Sequence, residues 1–236
     1  MPKRKSTYLC ITSIYSNFWN LFLETVRKSQ LVVDPEYDPF KVIINGTEAK
    51  VSLKRPIYLK NWPFKAASGK NNLHIVISAT ETIDLSDNKI KESGVQVIYY
   101  QQKAGKDIIK PIESIHYDYN EFPVFAHPVF HAQFCHDAVD SSQIKQIEIL
   151  QDYKLITDNF GERFGHLKIP TAHMNIISVL LSLCADHIPI AHSKANLKIL
   201  FNNVQRIEEM PLVKAEKLTN NINKNNSFCS MHWYIG

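Results

Sequence analysis

Only five of the twenty-seven basic residues are arginine, so the chain has few of the planar forks that read phosphates and base edges bidentately. With a formal charge of +4, the basic excess permits a polyanionic partner such as nucleic acid without requiring one. The four cysteines, Cys10, Cys135, Cys184 and Cys229, form no C-x-x-C pair, which argues against a zinc ribbon and against a disulfide scaffold and fits reduced thiols in a cytoplasmic protein. No window approaches the roughly 18 apolar residues of a membrane helix, and the opening "MPKRKSTYLCITS" lacks the apolar centre of a signal peptide. Glycine-rich phosphate loops are missing too: "SGKNN" at 68 lacks their spacing, and "DLSDNK" at 84 lacks the sixth-position glycine and twelfth-position glutamate of a calcium loop.

What is there is a globular composition, 44% hydrophobic and 21% charged over 236 residues. "TSIYSNFWNLFLETVRKSQ", about 12 to 30, places Ile14, Phe18, Leu21, Phe22 and Val26 on one helical face. Alternating segments then predict strands at "KVIIN", "AKVSLK", "NLHIVISAT", "VQVIYYQQ", "DIIKPIESIHYDY" and "HPVFHAQFCH", joined by short turns that favour antiparallel neighbours. "IPTAHMNIISVLLSLCADHIP" predicts a helix capped by Thr171 and stopped by Pro189, and a further helix is expected over about Lys194 to Glu209. The expected fold class is α+β: a mainly antiparallel meander with an N-terminal helix and two C-terminal helices packed on one face. Residues 1–218 read as one domain and 219–227 as a polar linker. Residues 228–236, "FCSMHWYIG", carry too many large apolar side chains to be left in water. That segment is expected to dock on its own domain or on a partner or second copy, through Phe228, Trp233 and Tyr234.

Histidine is concentrated: eight of ten lie between residues 116 and 192, four of them within "SIHYDYNEFPVFAHPVFHAQFCHD", 114 to 137. Side chains two apart share a strand face, so Ile115, Tyr117 and Tyr119 oppose His116 and Asp118, while Phe130, Ala132 and Phe134 oppose His131 and Gln133. If the apolar sets turn to the core, His116, Asp118, His131 and Gln133 share the other face of one hairpin. Two imidazoles and a carboxylate are the minimum equipment for metal-independent acid/base cleavage of an ester. The expected roles are His131 as general base, His116 as general acid and Asp118 orienting one of them. His173, at a helix N-terminus able to hold an anion, Lys110 and Gln133 are expected to bind substrate. The same trio, His116, Asp118 and His131, could instead ligate a divalent metal, though no spacing demands it and the expectation leans to no cofactor. His127 and His131 stand about 13 Å apart along an extended strand and cannot share an ion unless the chain bends. The tyrosines at 99, 100, 117 and 119 could stack single-stranded bases or pack between sheet and helix.

Taken together, "HYDYN", "HPVFHAQF" and "IPTAHMNIISVLLSL", spanning about eighty residues, resemble small bacterial proteins of toxin-antitoxin and phage-defence modules. The resemblance implies a nuclease-like, defence-associated role, and the chain departs from the pattern at Gln133, where a further histidine would complete it. Two functions are therefore carried forward: a hydrolase or nuclease acting on a phosphate ester, and a non-catalytic interaction protein working through its aromatic C-terminal segment.

Overall fold

The structure, a computed structural model, describes residues 3–63, 72–102, 108–120, 130–134, 154–155, 168–170, 175–188, 190–204, 207 and 212–213. The first element is helix α1 (Lys3–Lys28), followed by strands β1 (Val32–Asp34), β2 (Phe40–Asn45), β3 (Glu48–Leu53) and β4 (Ile57–Pro63). The long strands β5 (Asn72–Asp84), β6 (Lys89–Gln102) and β7 (Ile108–Asn120) come next, then β8 (Phe130–Phe134), β9 (Lys154–Leu155) and β10 (Lys168–Pro170). Helices α2 (Ile176–His187) and α3 (Ile190–Val204) and the short β11 (Leu212–Val213) complete the order. Among the described residues the strands form one eleven-stranded sheet with the path β1-β4-β5-β6-β7-β8-β10. Except for two short parallel pairings, β9 on β7 and β11 on β6, every pairing is antiparallel.

Thirteen residues make β5 long enough to hold two neighbours on one edge: β4 pairs with Asn72–Ile77, and β3, from its hairpin with β2, pairs with Thr80–Asp84. The sequence reading misses β4 because "IYLKNWP" does not alternate cleanly: Asn61 has a positive φ of 55° and the register shifts between Leu59 and Trp62.

The three helices cover one face of the sheet. α1 buries Ile14, Tyr15, Phe18, Trp19, Phe22 and Val26 against Phe40, Val51, Leu59 and Trp62, and α2 adds Ile176, Leu180 and Leu183. Trp19 stacks on Phe22, and Phe22 on Trp62, with ring centroids 5.0 and 6.4 Å apart. Asn175, not Thr171, caps α2: its backbone is extended and its side chain accepts from the Ser178 N–H at 2.8 Å. The last helix begins at Ile190 and ends at Val204, about one turn ahead of the expected span.

Within this core a carboxyl group is held. Glu81 occupies a helix-facing position of β5, in the series Leu73, Ile75, Ile77 and Ile83, and is 1% exposed. Its carboxylate accepts from the Tyr15 hydroxyl of α1 and, at 2.6 Å, from the backbone N–H of Ile176, the first residue of α2. Ser93 Oγ of β6 lies 3.5 Å away. A carboxylate at a helix N-terminus is favoured by the dipole and by donors with no partner inside the helix. Burial nevertheless raises its pKa, and the hydrogen bonds oppose that rise.

Candidate active site

The face away from the helices is set by strand parity. On β7, Tyr119 is buried in the helix-side core and Tyr117 packs against it, so His116 and Asp118 belong to the opposite face. In the β7–β8 register Tyr117 stands opposite Ala132, His116 opposite Gln133 and Asp118 opposite His131. β6 continues both rows, with Gln96 opposite His116 and Gly94 opposite Asp118. β5 contributes Ser78 and Thr80, and β10 contributes Lys168 and Pro170. Two adjacent rows therefore cross five strands: Ser78, Gln96, His116, Gln133, Lys168, and Thr80, Gly94, Asp118, His131, Pro170.

Asp118 lies between the two imidazoles. Its Oδ1 is 3.3 Å from His116 Nε2 and its Oδ2 is 3.3 Å from His131 Nε2. Side-chain exposure grades across the three, 42% for His116, 32% for Asp118 and 1% for His131. Each oxygen of the carboxylate thus faces one imidazole nitrogen. His131 is thus not the solvent-facing residue expected of a hairpin's polar face. Alternation shows which side of the sheet a residue takes, but not what covers that side. A group this deep is closed to solvent, whereas His116 is half-exposed. Replacing His131 is correspondingly costly. His131→Ala should lower stability by about 1–3 kcal/mol, by opening a hole and stripping the buried side of Asp118 of its partner. Chemical denaturation measures this against His116→Ala, which at a half-exposed position should change stability by less than about 0.5 kcal/mol.

Among the described residues no group of three His, Cys, Asp or Glu side chains is disposed to hold a metal ion. The trio His116, Asp118, His131 is included in that statement, because the carboxylate stands between the two nitrogens instead of all three converging on one point.

Of the remaining expected site residues, Gln133 is brought beside His116 on the same face. Lys110 is not. A register shift in the β6–β7 ladder separates it from the site, and it pairs with Gln101 in a row continuing to Leu73 of the helix-side core. It is exposed, but on the other side of the sheet. His173 and His127, like the C-terminal residues Phe228, Trp233 and Tyr234, lie outside the described residues. The base-stacking possibility for the tyrosines is overturned for those described: Tyr100 and Tyr119 are buried at 1% and 3%, and Tyr99 and Tyr117 pack on the core. His187 of α2 is packed, its Nδ1 2.9 Å from the Pro63 carbonyl and its ring against Trp62 and Tyr99.

Further along the same face a second histidine is buried. His74 is fully covered, stacks on Tyr58 at 5.8 Å between centroids, and shares a hydrogen bond between Nδ1 and the Tyr58 hydroxyl. Burial lowers its pKa, so the fold holds it neutral. This pair went unseen in the sequence because Tyr58 lies on the missed strand. Glu81 did leave a signal, a carboxylate in a core-parity slot of "NLHIVISATETID". Gly94 left one as well, a glycine inside an alternating strand.

No protein-family model, no curated protein and no solved structure matches the chain.

Proposed function

We propose that the protein is a hydrolase of phosphate esters, with His116 and Asp118 as its acid/base pair and His131 as the buried residue that positions Asp118. The observation that carries this is the Asp118 carboxylate held between two imidazoles at 3.3 Å each, with one imidazole half-exposed and the other buried. In the ion-paired form, carboxylate with imidazolium, Asp118 takes a proton from the attacking hydroxyl and His116 gives one to the leaving oxygen. The pair then resets by passing the proton from Asp118 to His116 across their contact. A phosphate ester suits the row that contains His116: two amides, Gln96 and Gln133, and a hydroxyl, Ser78, stand in register with it. RNA and DNA oligonucleotides and bis(4-nitrophenyl) phosphate are the substrates to offer. Cleavage that survives chelator and disappears in both His116→Ala and Asp118→Asn supports the reading; cleavage unaffected by either substitution removes it.

A further inference from the structure

An open sheet has edges, and an edge strand offers its outer N–H and C=O groups to any strand that reaches it. Among the described residues most edges of this sheet are blunted. β1 is three residues long and runs into Pro35, and its Val32 carbonyl accepts from Trp62 Nε1 at 3.1 Å. β10 is also three residues and ends on Pro170, while β9 and β11 have two residues each. β2 differs. It has six residues, no proline and no register shift, and among the described residues β3 is its only partner strand.

One backbone bond fixes which groups β2 turns outward. Residues of an antiparallel pair alternate between those bonded to their opposite number and those pointing away from it. The Lys54 N–H donates to the Pro39 carbonyl at 2.8 Å, one step beyond the Phe40–Leu53 pair, so Lys41, Ile43 and Asn45 bond towards β3 and Phe40, Val42 and Ile44 face the open side. The Phe40 N–H is held by Asp38 Oδ1 at 2.8 Å. Val42 and Ile44 therefore present the outward donors. The side chains divide the same way: Lys41 lies in one row with Ser52, Thr80, Gly94 and Asp118, on the face away from the helices. Lys41, Ile43 and Asn45 are all exposed there, Ile43 at 47%.

We propose that β2 pairs antiparallel with β2 of a second copy of the chain, Ile43 opposite Ile43, so that two sheets join into one about a twofold axis. In this register Val42 and Ile44 of the second copy stand opposite each other and exchange both backbone bonds, and the twofold repeats the exchange. Every outward N–H and C=O of the two residues is used. Ile43 meets Ile43 across the axis in the closer, non-bonded kind of pair, which takes from water the apolar side chain that β2 exposes. Lys41 faces Asn45, so no like charges meet. The neighbouring registers are poorer. Val42 opposite Val42 needs the Phe40 N–H that Asp38 holds, Lys41 opposite Lys41 sets two cations together, and Ile44 opposite Ile44 draws in Gly46, whose φ of 62° belongs to the turn. β2 stands four strand spacings, about 19 Å, from Asp118, so this contact is independent of the acid/base reading.

Sedimentation velocity on the full-length protein should show a monomer–dimer equilibrium that shifts to dimer with concentration, because a six-residue pairing is at the small end of specific interfaces. Val42→Pro removes a donor from the outer edge and none from the β2–β3 ladder, and should leave monomer at every concentration with the fold retained by circular dichroism. Cysteine cross-linking reads the register. Ile43→Cys places two thiols at a pair whose Cα atoms are about 4.5 Å apart, within disulfide reach, and should give a covalent dimer on mild oxidation beyond the wild-type level. Lys41→Cys, about 13 Å from its counterpart, should not. A wild-type protein that stays monomeric, a dimer that persists in folded Val42→Pro, or equal cross-linking from the two cysteine variants overturns the pairing. Should Val42→Pro fail to fold, the cysteine variants decide alone.

Discussion

Removing the acceptor at position 81 should unfold the protein more readily than any other single change on β5. Glu81→Ala leaves the Tyr15 hydroxyl and the Ile176 N–H buried without their acceptor. At 1–3 kcal/mol for each such group, the loss is on the order of 2–4 kcal/mol once relief from burying a carboxylate is set against it. The loss should be seen as a lower denaturation midpoint, with the end of α2 that begins at Ile176 losing amide-exchange protection first. Glu81→Gln is the informative companion, because an amide can still accept from Ile176 and can donate towards Tyr15.

The same pair of variants fixes a pH dependence. Burial raises the Glu81 pKa above its ordinary 4.5, so the folded protein binds this proton more readily than the unfolded chain does. Its contribution is therefore fully present below 4.5 and is lost as pH rises through the folded value. His74 works the other way. Burial lowers its pKa from 6.5, the unfolded chain takes that proton more readily, and its contribution is present above 6.5 and lost as pH falls through the folded value. Between 4.5 and 6.5 the two slopes oppose. Glu81→Gln should remove the opposing slope, so that stability rises more steeply with pH than in the wild type. A Glu81→Gln protein whose pH profile superimposes on the wild type would show that the carboxyl does not titrate abnormally.

The largest functional effect is expected at the proposed acid/base pair. Because each oxygen of Asp118 faces an imidazole nitrogen, Asp118→Asn replaces one of the two acceptors with an NH2 donor and removes the negative charge. It should lower kcat by about 10²–10⁴, the usual contribution of a positioned acid or base. His116→Ala should do the same with little change in melting temperature, since the side chain is 42% exposed. The double variant should be no worse than the poorer single one, as groups that act as a unit are not additive. A double-variant loss equal to the product of the two single losses would instead place the residues in separate steps. His131→Ala differs in kind, combining a smaller loss of kcat with the loss of stability argued above, and the two are separated by assaying well below its melting temperature.

Strand parity made much of the site legible. "IHYDY" and "HPVFHAQF" each separate an apolar set from a polar one, and that is enough to place His116, Asp118, His131 and Gln133 on one face whatever the register. Register was not legible, because nine residues join β7 to β8 and a connection of that length permits several pairings. Depth was not legible either. His116 and His131 have the same parity and the same chemistry, yet differ between 42% and 1% exposure, since burial is decided by elements distant in the chain. Lys110 was misplaced for a local reason. The extra residue at the β6–β7 irregularity makes counting in twos from His116 fail beyond Glu113. β4 was missed where a left-handed asparagine breaks the alternation, and the buried Tyr58–His74 pair went with it.

The order of strands β4, β5, β6, β7 and β8 is the same in space as in sequence, which bears on how the protein acquires its shape. Each of these strands finds its partner in the segment just before it, so chain entropy is spent in small steps, and zipping can start at the four-residue turn between β5 and β6. Contacts from α1 to α3 close across most of the chain and must come late. Asp118 finds His116 within its own strand, but it meets His131 only when the hairpin spanning residues 121–129 closes. The proposed acid/base pair is thus assembled by local contacts, and the buried imidazole beside it arrives afterwards.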